Sequence, residues 1–243
     1  MPSKSRASLH RIETYYDQTQ RPLNCLWFVL PIILTYHLGA LWCGTGLLAP
    51  RDIAKLLQYF GARAWWYLPG SAVIVVLLLQ HWFQHRRCPW RPRVLLGMFV
   101  ESLVGVLPLI VIDHLTGMVM SQLAAGDNGQ GVFRHVLIAL GAGLYEEFVF
   151  RLVFISVVLL VLVDVLGLKQ RITAPVAVVL SATLFSLYHF RSGRLDWGSF
   201  PWSLFIFRTV AGCYLGGLYV LRGFGIAVGA HIFWNLYTML WRL

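Results

Sequence analysis

Seven long apolar stretches dominate this sequence, and each must hide its own backbone polar groups. They run from Asn24 to Leu48, Ala64 to Phe83, Val94 to Thr116, Val132 to Leu168, Ala174 to Phe190, Trp202 to Leu221 and Phe224 to Trp241. About 20 helical residues cross a hydrocarbon core about 30 Å thick. Within lipid a helix or a closed barrel is the only way to pair every backbone N–H and C=O. The expected fold is therefore all-α, a polytopic transmembrane helix bundle of seven or eight spans. The count is open because Val132 to Leu168 exceeds one ordinary crossing. It is either one long tilted helix or two spans with a tight break. Only 12% of the residues are charged and 58% are hydrophobic, whereas soluble domains carry about a quarter charged residues. The bilayer is the expected solvent and first partner, and integral membrane protein the expected class.

The formal net charge of +10 does not make this a nucleic-acid-binding chain. Its Lys and Arg residues fall mainly in the N-terminal segment and in short connections, the places where topology signals lie. The basic N-terminus and the cluster Arg86, Arg87, Arg91 and Arg93 would share the cytoplasmic side. Met118 to Gly131, which has no Lys or Arg, would lie outside, while Arg51, Lys55 and Arg63 run against that orientation. The expected organisation is a basic segment, 1–23, then one transmembrane domain, 24–243. Within it 24–116 holds the first three spans and 132–243 the polar motifs. The first span reads as uncleaved, since its apolar run is too long for a signal peptide. No soluble domain is expected beside the spans. Cys25, Cys43, Cys88 and Cys213 lack metal-ligand spacing and read as small hydrophobes.

Function must then come from ionisable groups placed where lipid should be. Such groups cost at least about 2.5–3.5 kcal/mol at mid-membrane, so they usually face a cavity or a partner. Three clusters stand out: Tyr145-Glu146-Glu147 leading to Arg151, Phe185 leading to His189, and His231 leading to Asn235. Glu147 and Arg151, at i and i+4, share a helix face and can pair in the favourable order. Glu146 points about 100° away and is free to address another helix. His231 and Asn235, again i and i+4, set an imidazole beside an amide.

These groups suffice for peptide hydrolysis by water. A carboxylate and an imidazole can orient and deprotonate the water, and donors can face the developing oxyanion. No serine or cysteine nucleophile is required. Taken singly, each motif has a plainer explanation as an ion pair or an interhelical hydrogen bond. A shared polar site explains all three together. Glu101, Asp113 and His114 could line the same cavity, although bundle-stabilising or interfacial positions suit them better. Arg208 reads as snorkelling or neutralising an acidic partner.

At EExxxR (Glu146 to Arg151), FxxxH (Phe185 to His189) and HxxxN (His231 to Asn235), the chain resembles the CAAX prenyl protease and bacteriocin-processing family of glutamic intramembrane endopeptidases. The resemblance covers the C-terminal half. It implies a helical membrane fold with a water-accessible cavity. In that cavity Glu146 and His189 would activate water, and His231 with Asn235 would stabilise the oxyanion. Glu147, Arg151 and Phe185 would support the shape of the site, with no metal and no cofactor. Leu152 departs from the pattern, standing where a glycine is common. The implied partners are the bilayer and a peptide or membrane-protein substrate, with a lipidated tail as one option. A bacterial plasma membrane is the expected host.

Rival classes have their own signatures. The chain has no HExxH, GxSG or GxGD motif. A metal ion could in principle take Glu146, His189 and His231 as ligands. A non-catalytic interaction or immunity-type scaffold is the main alternative. A proton-coupled transporter is less favoured, because no inverted repeat is apparent.

Overall fold

The computed structural model describes residues 15–43, 64–84, 91–116, 131–190 and 200–240. Outside them lie most of the basic N-terminal segment, the end of the first apolar stretch beyond Cys43, Cys88, Arg86, Arg87 and most of Met118 to Gly131. All regular structure among the described residues is helical. In chain order the helices are α1 (Pro22–Cys43), α2 (Ala64–Gln84), α3 (Pro92–Val104), α4 (Leu107–Thr116), α5 (Val132–Val165), α6 (Gln170–Tyr188), α7 (Trp202–Arg222) and α8 (Phe224–Leu240).

Among the described residues five spans are long and apolar enough to cross a membrane: α1, α3 with α4 taken together as Pro92–Leu115, α5, α6 and α7. That is fewer than seven or eight. The apolar part of α2, Leu68–Gln84, is shorter, and α8 has 17 residues. The chain is a multi-pass integral membrane protein.

Two stretches differ in form from the simplest expectation. Val94 to Thr116 is two helices, because the chain turns at Gly105 and Val106 just before Pro108. Proline has no N–H to continue the ladder and clashes with the preceding turn. Pro31 and Pro69, by contrast, sit inside unbroken α1 and α2. Val132 to Leu168 is one helical run through Val165, not two spans. It loosens into π-helix at Phe148–Ile155 and again at Leu160–Val165. Such i→i+5 segments frequently accompany functional sites. The first begins directly after the two glutamates, and one carbonyl within it, that of Phe150, accepts a hydrogen bond from the Ser181 hydroxyl at 2.5 Å.

Residues α5 presents to its neighbours are small where helices must meet closely. A Cβ on Gly143 would press into Ile232 of α8, backbone included, and one on Gly141 would meet the Tyr36 ring of α1. Tyr145 is fixed to α1 as well, its hydroxyl 2.7 Å from Nε2 of His37. One core cluster gathers Val29, Ile33 and Tyr36 of α1 with Leu144, Ile226 and Ile232. A second joins Leu109 to Phe207, Leu215 and Trp234. The first packs α5 against α8 and the second packs α8 against α7 and α4, which is what brings the motif residues together.

At one end of the bundle a polar latch ties remote elements. Arg222 forks onto Glu101, with Nη2 to Oε2 at 2.8 Å and Nε to Oε1. The Tyr15 hydroxyl donates to Glu101 Oε2 at 3.0 Å. Glu101 thus belongs to this latch. His114 is exposed, with Nδ1 3.2 Å from its own helix's Ile110 carbonyl, and Asp113 is buried.

Candidate active site

Helices α5, α6, α7 and α8 surround a cavity of about 350 Å³. Its wall includes Glu146, His189, His231 and Asn235, with Phe185 beside them. The three sequence clusters therefore do meet. A short connection at Gly223 (φ 96°) folds α8 back on α7; the left-handed conformation there suits glycine.

Glu146 stands between two imidazoles. Its Oε1 is 3.8 Å from His189 Nε2, and its Oε2 is 3.7 Å from His231 Nε2. Both separations are too long for direct hydrogen bonds but suit bridging by a small polar molecule. The glutamate keeps a little exposure to the cavity, at 14% of its side chain.

Each histidine is oriented by its other nitrogen. Nδ1 of His189 lies 2.8 Å from the Phe185 carbonyl. A carbonyl only accepts, so Nδ1 carries the hydrogen and Nε2 faces Glu146. Nδ1 of His231 lies 2.7 Å from Glu147 Oε1, so an ionised Glu147 makes that nitrogen the donor too. Two neutral imidazoles so arranged would aim lone pairs at a carboxylate. The trio is satisfied only by a proton on an Nε2 or on Glu146, or by a donor placed among them.

Behind this front row lies a dry second layer. Glu147 and Arg151 are both fully buried, with Arg151 Nη1 3.1 Å from Glu147 Oε1. Arg151 Nη2 donates to the Gly212 carbonyl at 3.3 Å, and the guanidinium lies 4.6 Å from the Phe185 ring centroid. Phe185 also meets the His189 ring edge-on at 4.7 Å and the His231 ring at 6.1 Å. It thereby touches three of the motif residues. Glu147 Oε2 is buried without a hydrogen-bond partner among the described residues. Asn235 Nδ2 donates weakly to the Ala139 carbonyl at 3.4 Å.

Two cavity residues lie outside the motif trio, His135 and Arg208. Arg208 was legible as an arginine inside an apolar stretch; His135, near the start of α5, gave no such signal. No group of three His, Cys, Asp or Glu side chains among the described residues is arranged to hold a metal ion.

Residues 128–237 match a family model described as type II CAAX prenyl endopeptidase Rce1-like. The matched region contains all three motifs and the cavity walls they form. No curated protein matches the chain, and no solved structure does.

Proposed function

From the premise that residues 128–237 belong to the Rce1-like family of CAAX-type intramembrane proteases, we propose a metal-independent endopeptidase that hydrolyses peptide bonds near the membrane surface. The observation that carries this is the place of Glu146, within 4 Å of the Nε2 atoms of both His189 and His231 inside a cavity. In the proposed reaction a water lodges beside Glu146 and His189. The carboxylate takes its proton as the oxygen adds to the scissile carbonyl. The tetrahedral oxyanion meets donors from His231 and Asn235, whose worth is greatest in a site shielded from bulk water. The proton then passes to the leaving amine.

For His231 to donate at Nε2 while Nδ1 faces Glu147, it must be an imidazolium. The pairing of Glu147 with Arg151 has a second use here, since the arginine holds Glu147 in place beside His231. The substrate is a peptide or a membrane protein. A lipid-modified C-terminal tail, the kind of segment a CAAX motif describes, fits a cavity that opens among membrane helices. A bacterial plasma membrane is the host this reading favours.

The test is cleavage by the purified chain in proteoliposomes, with a prenylated CAAX peptide and an unmodified precursor peptide as substrates. Cleavage should persist in excess chelator and vanish in Glu146→Gln. Cleavage lost to chelator and restored by zinc would point to a metal enzyme. Cleavage unchanged by Glu146→Gln would point to another site or to a contaminant. A Glu146→Gln protein that supports full cellular function would favour the scaffold alternative.

A further inference from the structure

A second cavity, of about 520 Å³, lies at the latch end of the bundle and shares no lining residue with the first. Helix α2 packs mainly on α1, and the space it leaves toward α5 and α7 is this cleft. Its depth is apolar, with Leu77 of α2 and Leu152 and Leu159 of α5 in the walls. Its rim is amide, with Gln20, Gln84 and Gln170 where their segments reach the end of the bundle. Residues 77–84 of α2 and 152–159 of α5 each run about 10 Å along their helix.

Apolar depth under a polar rim, at the end of a membrane bundle, is the profile of a lipid, acyl chain below and headgroup above. The residues around the rim add a sign. Lys169 and Arg171 flank Gln170 and both are exposed, as are Arg91 and Arg93 at the start of α3. The exposed carboxylates at that end, among the described residues, are Asp17 and Asp164. Basic pockets between membrane helices bind anionic headgroups, and each Lys or Arg near the surface adds to the attraction. Glutamine amides can donate to phosphate and ester oxygens at the same level. A water-soluble ligand would instead set its polar atoms against Leu77, Leu152 and Leu159, at a cost in desolvation.

We infer that this cleft is the seat of an anionic bilayer phospholipid, with an acyl chain between α2 and α5 and the phosphate at the glutamine rim beside Lys169 and Arg171. The site goes beyond the protease reading and does not depend on it. The seated chain packs on Leu152, within the π-helical segment that carries Arg151. It also meets Tyr219, whose hydroxyl is 2.8 Å from that of Ser156 just past that segment. A filled cleft thus braces α5 behind the Glu147–Arg151 pair.

The experiment uses the full chain in phosphatidylcholine nanodiscs doped with a trace of phosphatidylglycerol or phosphatidylcholine, each bearing the same photoreactive group on its acyl chain. After irradiation, peptide mass spectrometry maps the labelled residues. Labelling at 77–84 and 152–159, relative to the rest of the lipid-facing helices, should be at least about fivefold higher with the phosphatidylglycerol probe. Lys169→Gln combined with Arg171→Gln, both at exposed positions, should bring that probe down to the level of phosphatidylcholine with Tm unchanged. Leu159→Trp, which fills the cleft, should remove labelling there with either probe while the rest of the bundle is still labelled. Equal labelling by the two probes would make the cleft a general lipid contact and overturn the assignment. So would a preference that survives the double substitution, or cleft labelling that persists in folded Leu159→Trp. Labelling abolished by inorganic phosphate, but not by chloride of equal ionic strength, would assign the rim to free phosphate and overturn it too. None of these outcomes depends on turnover, so the protease reading stands or falls separately.

Discussion

Oε1 of Glu147 serves two partners at once, Nδ1 of His231 at 2.7 Å and Nη1 of Arg151 at 3.1 Å. The i,i+4 pair on α5 is therefore also the support of an imidazole on α8. In the proposed reaction the second glutamate acts through His231.

That link separates two substitutions at one position. Glu147→Gln keeps the shape but not the charge that faces Nδ1 of His231. We expect a fall of at least about tenfold in kcat with KM little changed. Glu147→Ala leaves Arg151 buried without its counter-charge, a loss of about 3–5 kcal/mol. Steady-state kinetics and thermal unfolding in detergent distinguish the two.

Glu146 should behave in the opposite way. Among the described residues it makes no hydrogen bond within ordinary range, and it keeps some exposure. Glu146→Gln should leave Tm unchanged while cleavage drops by about 10²–10⁴. A matched fall in Tm would mean that the carboxylate serves the fold.

Close approach of α5 and α8 can be probed at glycine. Gly143→Ala would push against the Ile232 backbone, one residue from His231. It should cost about 1–3 kcal/mol and depress activity. Gly217→Ala, with open space around its Cβ, should be neutral or slightly stabilising, as replacing a helical glycine usually is. Thermal shift and activity assays on the pair give the comparison.

The latch makes a prediction about alkaline pH. Burial, then the charge of Glu101 and the hydrogen bond to it, push the Tyr15 hydroxyl up to about 12, with Arg222 opposing. A group whose folded pKa is raised stabilises below its unfolded value and loses that contribution as pH climbs through the folded one. Relative to Tyr15→Phe, wild type should hold its Tm margin below about pH 10 and lose it progressively toward pH 12. Parallel melting curves across that window would reveal it, and a constant margin would contradict it.

Much of the site was legible from spacing within single helices. The Glu147–Arg151 pair, the different direction of Glu146 and the shared face of His231 and Asn235 all follow from the helical repeat. What spacing cannot show is contact between helices. The reach of Glu147 to His231 spans 84 positions and that of Arg222 to Glu101 spans 121, and both depend on packing angles that hydropathy does not encode. Arg208 was visible as a cation in an apolar stretch, but not as a wall of the cavity. The break in Val94 to Thr116 carried a signal in Pro108. Pro31 and Pro69 carry the same signal inside unbroken helices, so proline alone could not locate it.

The most direct test of the central claim compares new N- and C-termini among membrane proteins of cells expressing wild type or Glu146→Gln at matched levels. The account predicts termini present only with wild type, and their reappearance when purified protein, chelator and the same substrate are combined. Identical termini in the two strains, under conditions where the protein is needed, would contradict proteolysis as its role.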